Sequence, residues 1–179
     1  MKKQTEKIVL SGLFIALGVI IPPLFHAAGP GVGQLMSPMH FPILIAGIIV
    51  GWKYGLAIGI LTPILSALMP SGMPFFPVAT VMAAELGVYG LVIGLVYENF
   101  RPFKTGLLNI YLALIIAMLA GRIVGGSINA IIMGINGQAY GLKVFLIAYF
   151  VKTWPAILLQ FLVIPPIIEI YENKLTQGN

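Results

Sequence analysis

Residues 107–135, LLNIYLALIIAMLAGRIVGGSINAIIMGI, form one long apolar run with a single arginine, Arg122, near its middle. As a helix rising about 1.5 Å per residue, the run is about 43 Å long, more than the roughly 30 Å of a bilayer's hydrocarbon core. Arg122 therefore lies at membrane depth. A guanidinium cannot shed its charge there, and placing it mid-membrane costs about 2.5–3.5 kcal/mol on insertion scales. It must face a polar cavity, a carboxylate or a bound anion, which makes it the first candidate for function.

Composition agrees with a membrane setting. The chain is 59% hydrophobic and 8% charged, whereas soluble domains carry about 25% charged residues. Its mean hydropathy is +1.03. Across residues 1–179 no stretch is polar enough for a second domain, so a single transmembrane domain is expected. The net charge of +5 is spread singly between apolar runs, which suits orientation in a membrane rather than nucleic-acid binding. With no cysteine, disulfides, thiolate metal sites and a cysteine nucleophile are excluded. MKKQTEK followed by an apolar run resembles a signal peptide, but residues 8–25 run into prolines rather than a cleavage site, so a retained first span is expected.

The first span is read over residues 7–25, ending at Pro22 and Pro23. It carries Gly12 and Ala16, a small pair one turn apart that suits close helix packing, either within the molecule or against a partner. Residues 26–38 read as a glycine- and proline-rich loop lying against the membrane. Residues 39–69 fit two short spans, 39–50 and 54–69, joined at Gly51-Trp52-Lys53-Tyr54. That division places Lys2, Lys3, Lys7, Lys53, Arg101, Lys104 and Lys174 on one side and Lys143 on the other, which makes the first side cytoplasmic. The expectation is an all-α integral membrane protein of six transmembrane helices with both termini in the cytoplasm.

The second span is about 18 Å long by helical rise, too short to cross alone, so the loop before it covers a depression with His40 near its floor. His40 is either a helix-start residue or a ligand. In the third span Pro63 predicts a break near Thr62 and Ser66. Residues 70–77, PSGMPFFP, form a loop too apolar to float in water, which either caps a site or rests on headgroups.

The fourth span, residues 78–97, carries Glu85 about 12 Å below the outer surface, with Tyr89 one turn deeper on the same face. Arg122 lies about 18 Å below it on the fifth span. The two depths allow either a structural Glu85–Arg122 ion pair or a site built on both charges. Asn129 shares nearly the same face as Arg122, Gly126 leaves room between them, and Gly121 and Gly125 form a second small pair. The last span either fills residues 144–170 or begins near Thr153, with residues 141–151 interfacial and Pro155 in its first turn. Pro165 and Pro166 are expected to close it. Lys152 and Trp154 then lie near the outer mouth, Trp154 either there or as an interface anchor, and the buried amide of Gln160 requires a partner.

No HExxH, GxSxG or Walker A sequence occurs, and the chain has 2 histidines, so no catalytic residues and no metal ligand set are expected. A nucleotide-driven pump acting alone is excluded. The ionisable residues converge on the outer half of a small bundle beneath two apolar loops, an arrangement for binding a small polar solute.

The stretches GLFIALG (residues 12–18), MHFPILIAGIIVGWKYGLAIGILTPILSALMPSGMPFFP (39–77), AAELGVYGLVIGLVY (83–97) and AGRIVGG (120–126) resemble the substrate-binding S components of energy-coupling factor vitamin transporters. Of these it is most similar to the pantothenate type, with hydroxymethylpyrimidine and pyridoxine types close. The resemblance implies a six-helix importer subunit of a prokaryotic plasma membrane that binds a vitamin from outside under a lid made by the first and third loops. It implies as partners a membrane coupling subunit and two cytoplasmic ATPases, with ATP used there and no cofactor in this chain. Gly12 and Ala16 take the partner contact; the usual small pair is two alanines, and glycine stands at the first position here. For pantothenate, Arg122 or Lys152 would hold the carboxylate while Glu85, Asn129 and Gln160 bond hydroxyl and amide groups. For an aminopyrimidine, Glu85 would accept from the ring's amino group. A stand-alone carrier or channel is the alternative of another class.

Overall fold

In lipid a backbone N–H finds no water, so apolar runs of this length satisfy themselves as helices. A computed structural model describes residues 2–27, 29, 31–69, 73–100, 102–103 and 106–177, and every regular element in them is helical. These are α1 (Lys2–Ala27), α2 (Val32–Met36), α3 (His40–Ile49), α4 (Trp52–Ala67), α5 (Thr80–Asn99), α6 (Gly106–Ile135), α7 (Leu142–Leu146) and α8 (Trp154–Gln177). Wider turns of π type, Phe75–Ala79 and Ile147–Val151, lead into α5 and out of α7. Gln4–Ala27, Phe75–Asn99, Gly106–Ile135 and Trp154–Asn173 are long and apolar enough to cross a membrane.

Residues 39–69 are two helices rather than one. They meet at Gly51, whose φ of 100° and ψ of 163° are open to glycine and strained for other residues, and whose added Cβ would lie 2.7 Å from Glu98 Oε1. The chain reverses there, bringing Gly47 of α3 against Gly55 of α4, where a Cβ would stand 2.9 Å from the Gly47 Cα. With 10 and 16 residues, α3 and α4 are about 15 and 24 Å long.

The bundle is built around α5, which packs on α4, α6 and α3. On the α4 side the contact is backbone on backbone. A Cβ on Gly55 would strike the Gly90 carbonyl, one on Gly90 the Gly55 carbonyl, and one on Gly59 the Leu86 carbonyl. Such glycine spacing substitutes for the hydrophobic drive that lipid removes, because it brings whole backbones into dispersion contact. α1 is peripheral: 22% of its apolar window is buried, against 56% for Phe75–Asn99.

Three predicted proline breaks do not occur. α1 continues through Pro22 and Pro23, α4 through Pro63, and α8 through Pro165 and Pro166. Proline's fixed φ is itself helical; what it removes is one N–H, and helices in a bundle tolerate that loss when neighbours hold them in line. Pro22, Pro63 and Pro165 are all buried, and beside Pro63 the Thr62 hydroxyl donates to the Ile58 carbonyl at 2.7 Å. The first loop is also more ordered than predicted, since α2 forms inside residues 26–38. Of the two alternatives for the last span, the later start is observed: α8 begins at Trp154 with Pro155 in its first turn. Residues 28 and 30 of the first loop, 70–72 of the next, and the counted cations Arg101 and Lys104 lie outside the described residues.

Candidate functional site

Gly121 and Gly125 bring α6 against α5 where α5 carries its polar residues. A Cβ at position 121 would enter the Tyr89 ring and approach the Glu85 carbonyl at 2.9 Å, and one at 125 would stand 2.8 Å from Glu85 Oε2. The predicted small pair thus makes a tight contact, and its purpose is to let Arg122 reach across. Glu85 is 8% exposed and Arg122 4%, so both charges are taken from water.

They do not form the direct ion pair weighed from the sequence. Tyr89, one turn from Glu85, stands between them: its hydroxyl donates to Glu85 Oε1 at 3.0 Å and accepts from Arg122 Nε at 3.2 Å. His40 of α3 also brings Nε2 to 3.9 Å from the same carboxylate oxygen, and its ring lies 5.3 Å from that of Tyr89. The result is a buried polar line from α3 through α5 to α6.

Arg122 continues the line to the segment before α8. Its Nη1 donates to the Tyr149 carbonyl and, at 3.2 Å, to Thr153 Oγ1, and Thr153 Oγ1 donates to the Tyr149 carbonyl at 2.6 Å. The guanidinium carbon lies 5.0 Å from the centre of the Phe150 ring, a distance at which ring and cation attract. Asn129 Nδ2 donates to the Tyr149 hydroxyl at 2.8 Å.

Of the sequence-predicted residues, Glu85, Tyr89, Arg122, Asn129 and His40 are brought into one network. Gln160 is fully buried on the inner face of α8, and neither of its amide atoms has a hydrogen-bond partner; His40 Nδ1 is likewise buried and unpaired. Lys152 and Trp154 are exposed, Trp154 by 58%, on the outside of the turn that Arg122 holds. Gly126 does not leave open room between Arg122 and Asn129: the Phe145 ring fills its notch. Gly12 and Ala16 are exposed, and a Cβ on Gly12 would meet nothing. Internal packing of that pair is thus ruled out, and it is Gly18, lodged against Thr62, that takes the internal role.

Sequence reasoning missed Tyr149, Phe150 and Thr153. Their signal was weak, a hydroxyl pair one turn apart ahead of Pro155 in an otherwise apolar run. It also missed Tyr140, whose hydroxyl is buried without a partner; burial first, and then the Glu85 charge, push its pKa above the ordinary phenol value. Next to the network a cleft of about 330 Å³ opens between α6 and the following turn, lined by Ile123, Ser127, Ala130, Tyr140, Leu142 and Phe145 among others. Among the described residues no group of three histidine or acidic side chains is placed to hold a metal ion.

Residues 6–168 match the family model described as ECF transporter, substrate-specific component. The chain belongs to this family. No curated relative and no solved structure matches it. A substrate-specific component of an ECF transporter is a binding subunit of an importer and not an enzyme, it resides in a membrane with several passes, and it works with coupling and ATPase subunits.

Proposed function

We propose that the chain captures a B-group vitamin, pantothenate in the first place, at the Glu85–Tyr89–Arg122 network and delivers it to an ECF coupling module. The observation that carries this reading is that two groups of opposite charge are buried and kept apart by a phenol, when a structural ion pair would bring them together. A carboxylate and a guanidinium separated in this way present an acceptor and a donor to one solute. The unpaired Gln160 amide and His40 Nδ1 support it, since buried polar groups are costly without partners.

In this reading Arg122 holds the vitamin carboxylate, with Lys152 as the second cation near the mouth. Glu85, Asn129 and Gln160 bond hydroxyl and amide groups, while His40, Tyr89 and Trp154 line the path. Residues 26–38 and 70–77 form the lid. The topology is six crossings with both termini cytoplasmic, in a prokaryotic plasma membrane, and the α1 face at Gly12 and Ala16 receives the coupling subunit; two ATPases supply the energy. A hydroxymethylpyrimidine or pyridoxine ligand is the second reading, favoured by Glu85 as acceptor for a ring amino group.

Calorimetry of the purified protein against the B vitamins tests both. Saturable binding of pantothenate that Arg122→Ala reduces at least tenfold is the expected result. Binding of pantothenate unaltered in that variant overturns the anion site, and binding of an aminopyrimidine in its place moves the assignment to the second ligand. Uptake into liposomes by the chain alone would instead indicate a stand-alone carrier.

A further inference from the structure

Residues 142–151 lie against α6 but bury little. α7 has no buried residue, and in the turn that follows only Tyr149 is buried. Toward α6 the segment hangs on Gly137, which has a φ of 70°, and on Gly141; a Cβ at either would meet nothing. Toward α8 it ends ahead of Pro155, whose ring cannot extend the preceding helix. The Phe145 ring in the Gly126 notch is its main apolar anchor, and the cleft of about 330 Å³ runs beneath its first half.

The remaining attachments are polar and converge on Tyr149. Asn129 bonds its hydroxyl, and Arg122 bonds its carbonyl and the neighbouring Thr153 hydroxyl. One guanidinium thus serves both the interior network and this thinly packed segment.

We propose that residues 142–153 form a strap over the solute site, latched by Arg122 through the Tyr149 carbonyl, and that an anionic solute releases the strap by taking that donor. The proposal rests on the binding reading above and deepens it to a requirement for a negative charge. A guanidinium bonds a carboxylate with both partners ionised and two parallel N–H donors, which a single neutral carbonyl cannot match, so an anion displaces Tyr149 where a neutral acceptor of the same shape does not. Release leaves no orphan, because Thr153 Oγ1 already donates to the Tyr149 carbonyl at 2.6 Å. The Phe145 contact and the Asn129 bond to the Tyr149 hydroxyl are then all that hold the strap to α6.

Hydrogen–deuterium exchange of the full chain in lipid nanodiscs decides the matter. Arg122→Gln is expected to raise exchange of amides 144–151 at least tenfold and leave amides 90–97 of α5 unchanged. Saturating pantothenate on the wild type is expected to raise exchange in the same segment, although ligands ordinarily increase protection, and pantothenol, the alcohol lacking the carboxylate, is expected not to. Unchanged exchange of 144–151 in Arg122→Gln overturns the latch, as does pantothenate that binds by calorimetry without loosening the segment, or pantothenol that loosens it equally. Should Arg122→Gln loosen α5 too, the Asn129→Ala/Thr153→Val double variant, which keeps the Arg122 bond to the Tyr149 carbonyl, is expected to leave exchange of 144–151 within about twofold of the wild type, and a tenfold rise there overturns the latch. Pantothenate that gives no binding heat overturns the vitamin assignment, while the variants still decide the latch.

Discussion

Tyr89 sets the chemistry of the interior at the scale of one residue. A direct contact between Glu85 and Arg122 would neutralise both and leave a closed structural pair; the phenol between them keeps each charge with bonding capacity to spare. Removing the hydroxyl takes a donor from Glu85 and an acceptor from Arg122 at once. Tyr89→Phe is therefore expected to cost about 1–3 kcal/mol of stability, the range for stranding a buried polar partner. Thermal unfolding in detergent measures it, and a midpoint equal to the wild type would mean that the two charges find each other unaided. Serving the same network, Gly121 and Gly125 matter for what they lack: a Cβ at either meets Tyr89 or Glu85.

Between elements, the α4–α5 contact defines the bundle. Gly55 and Gly90 touch through their backbones, so an added methyl cannot be absorbed by a side-chain rotation; one helix must move away from the other. Gly90→Ala is expected to destabilise by about 1–3 kcal/mol, as overpacking does, despite alanine's better helix propensity. Gly134, inside α6 with nothing near a Cβ, is the matched control, and Gly134→Ala is expected to leave the unfolding midpoint unchanged or higher. Equal losses at the two positions would show that the close approach does not carry the packing. At the other end of α5, Tyr97 donates to Glu172 of α8 at 2.5 Å, which ties the central helix directly to the last one.

The whole molecule presents two different sides. α5 and its neighbours enclose the charged network, whereas α1 turns Ile8, Val9, Leu13, Ile20 and Leu24 outward, each more than half exposed, with Gly12 and Ala16 set flat among them. Lipid covers such a face equally well with or without small residues, but a partner helix benefits from their absence of bulk. Gly12→Trp is therefore expected to leave solute binding by the isolated chain unchanged and to lower uptake at least tenfold when the chain is reconstituted with its coupling and ATPase subunits. Uptake at the wild-type rate would move the partner contact elsewhere.

Composition and periodicity determined by themselves that the chain is helical and membrane-embedded, where most helices start and stop, and that Glu85, Tyr89 and Arg122 lie at compatible depths. These are local consequences of hydrophobicity and of about 1.5 Å of rise per residue. The proline breaks were misjudged because the fate of a freed carbonyl depends on neighbours that no single segment contains. Only the tertiary structure decided that a tyrosine would separate the two charges, that Phe145 would fill Gly126, and that Arg122 would bond a carbonyl 27 residues further along. Those outcomes depend on how closely two backbones approach and on the path of a non-helical turn, and both are set by contacts between helices far apart in the chain.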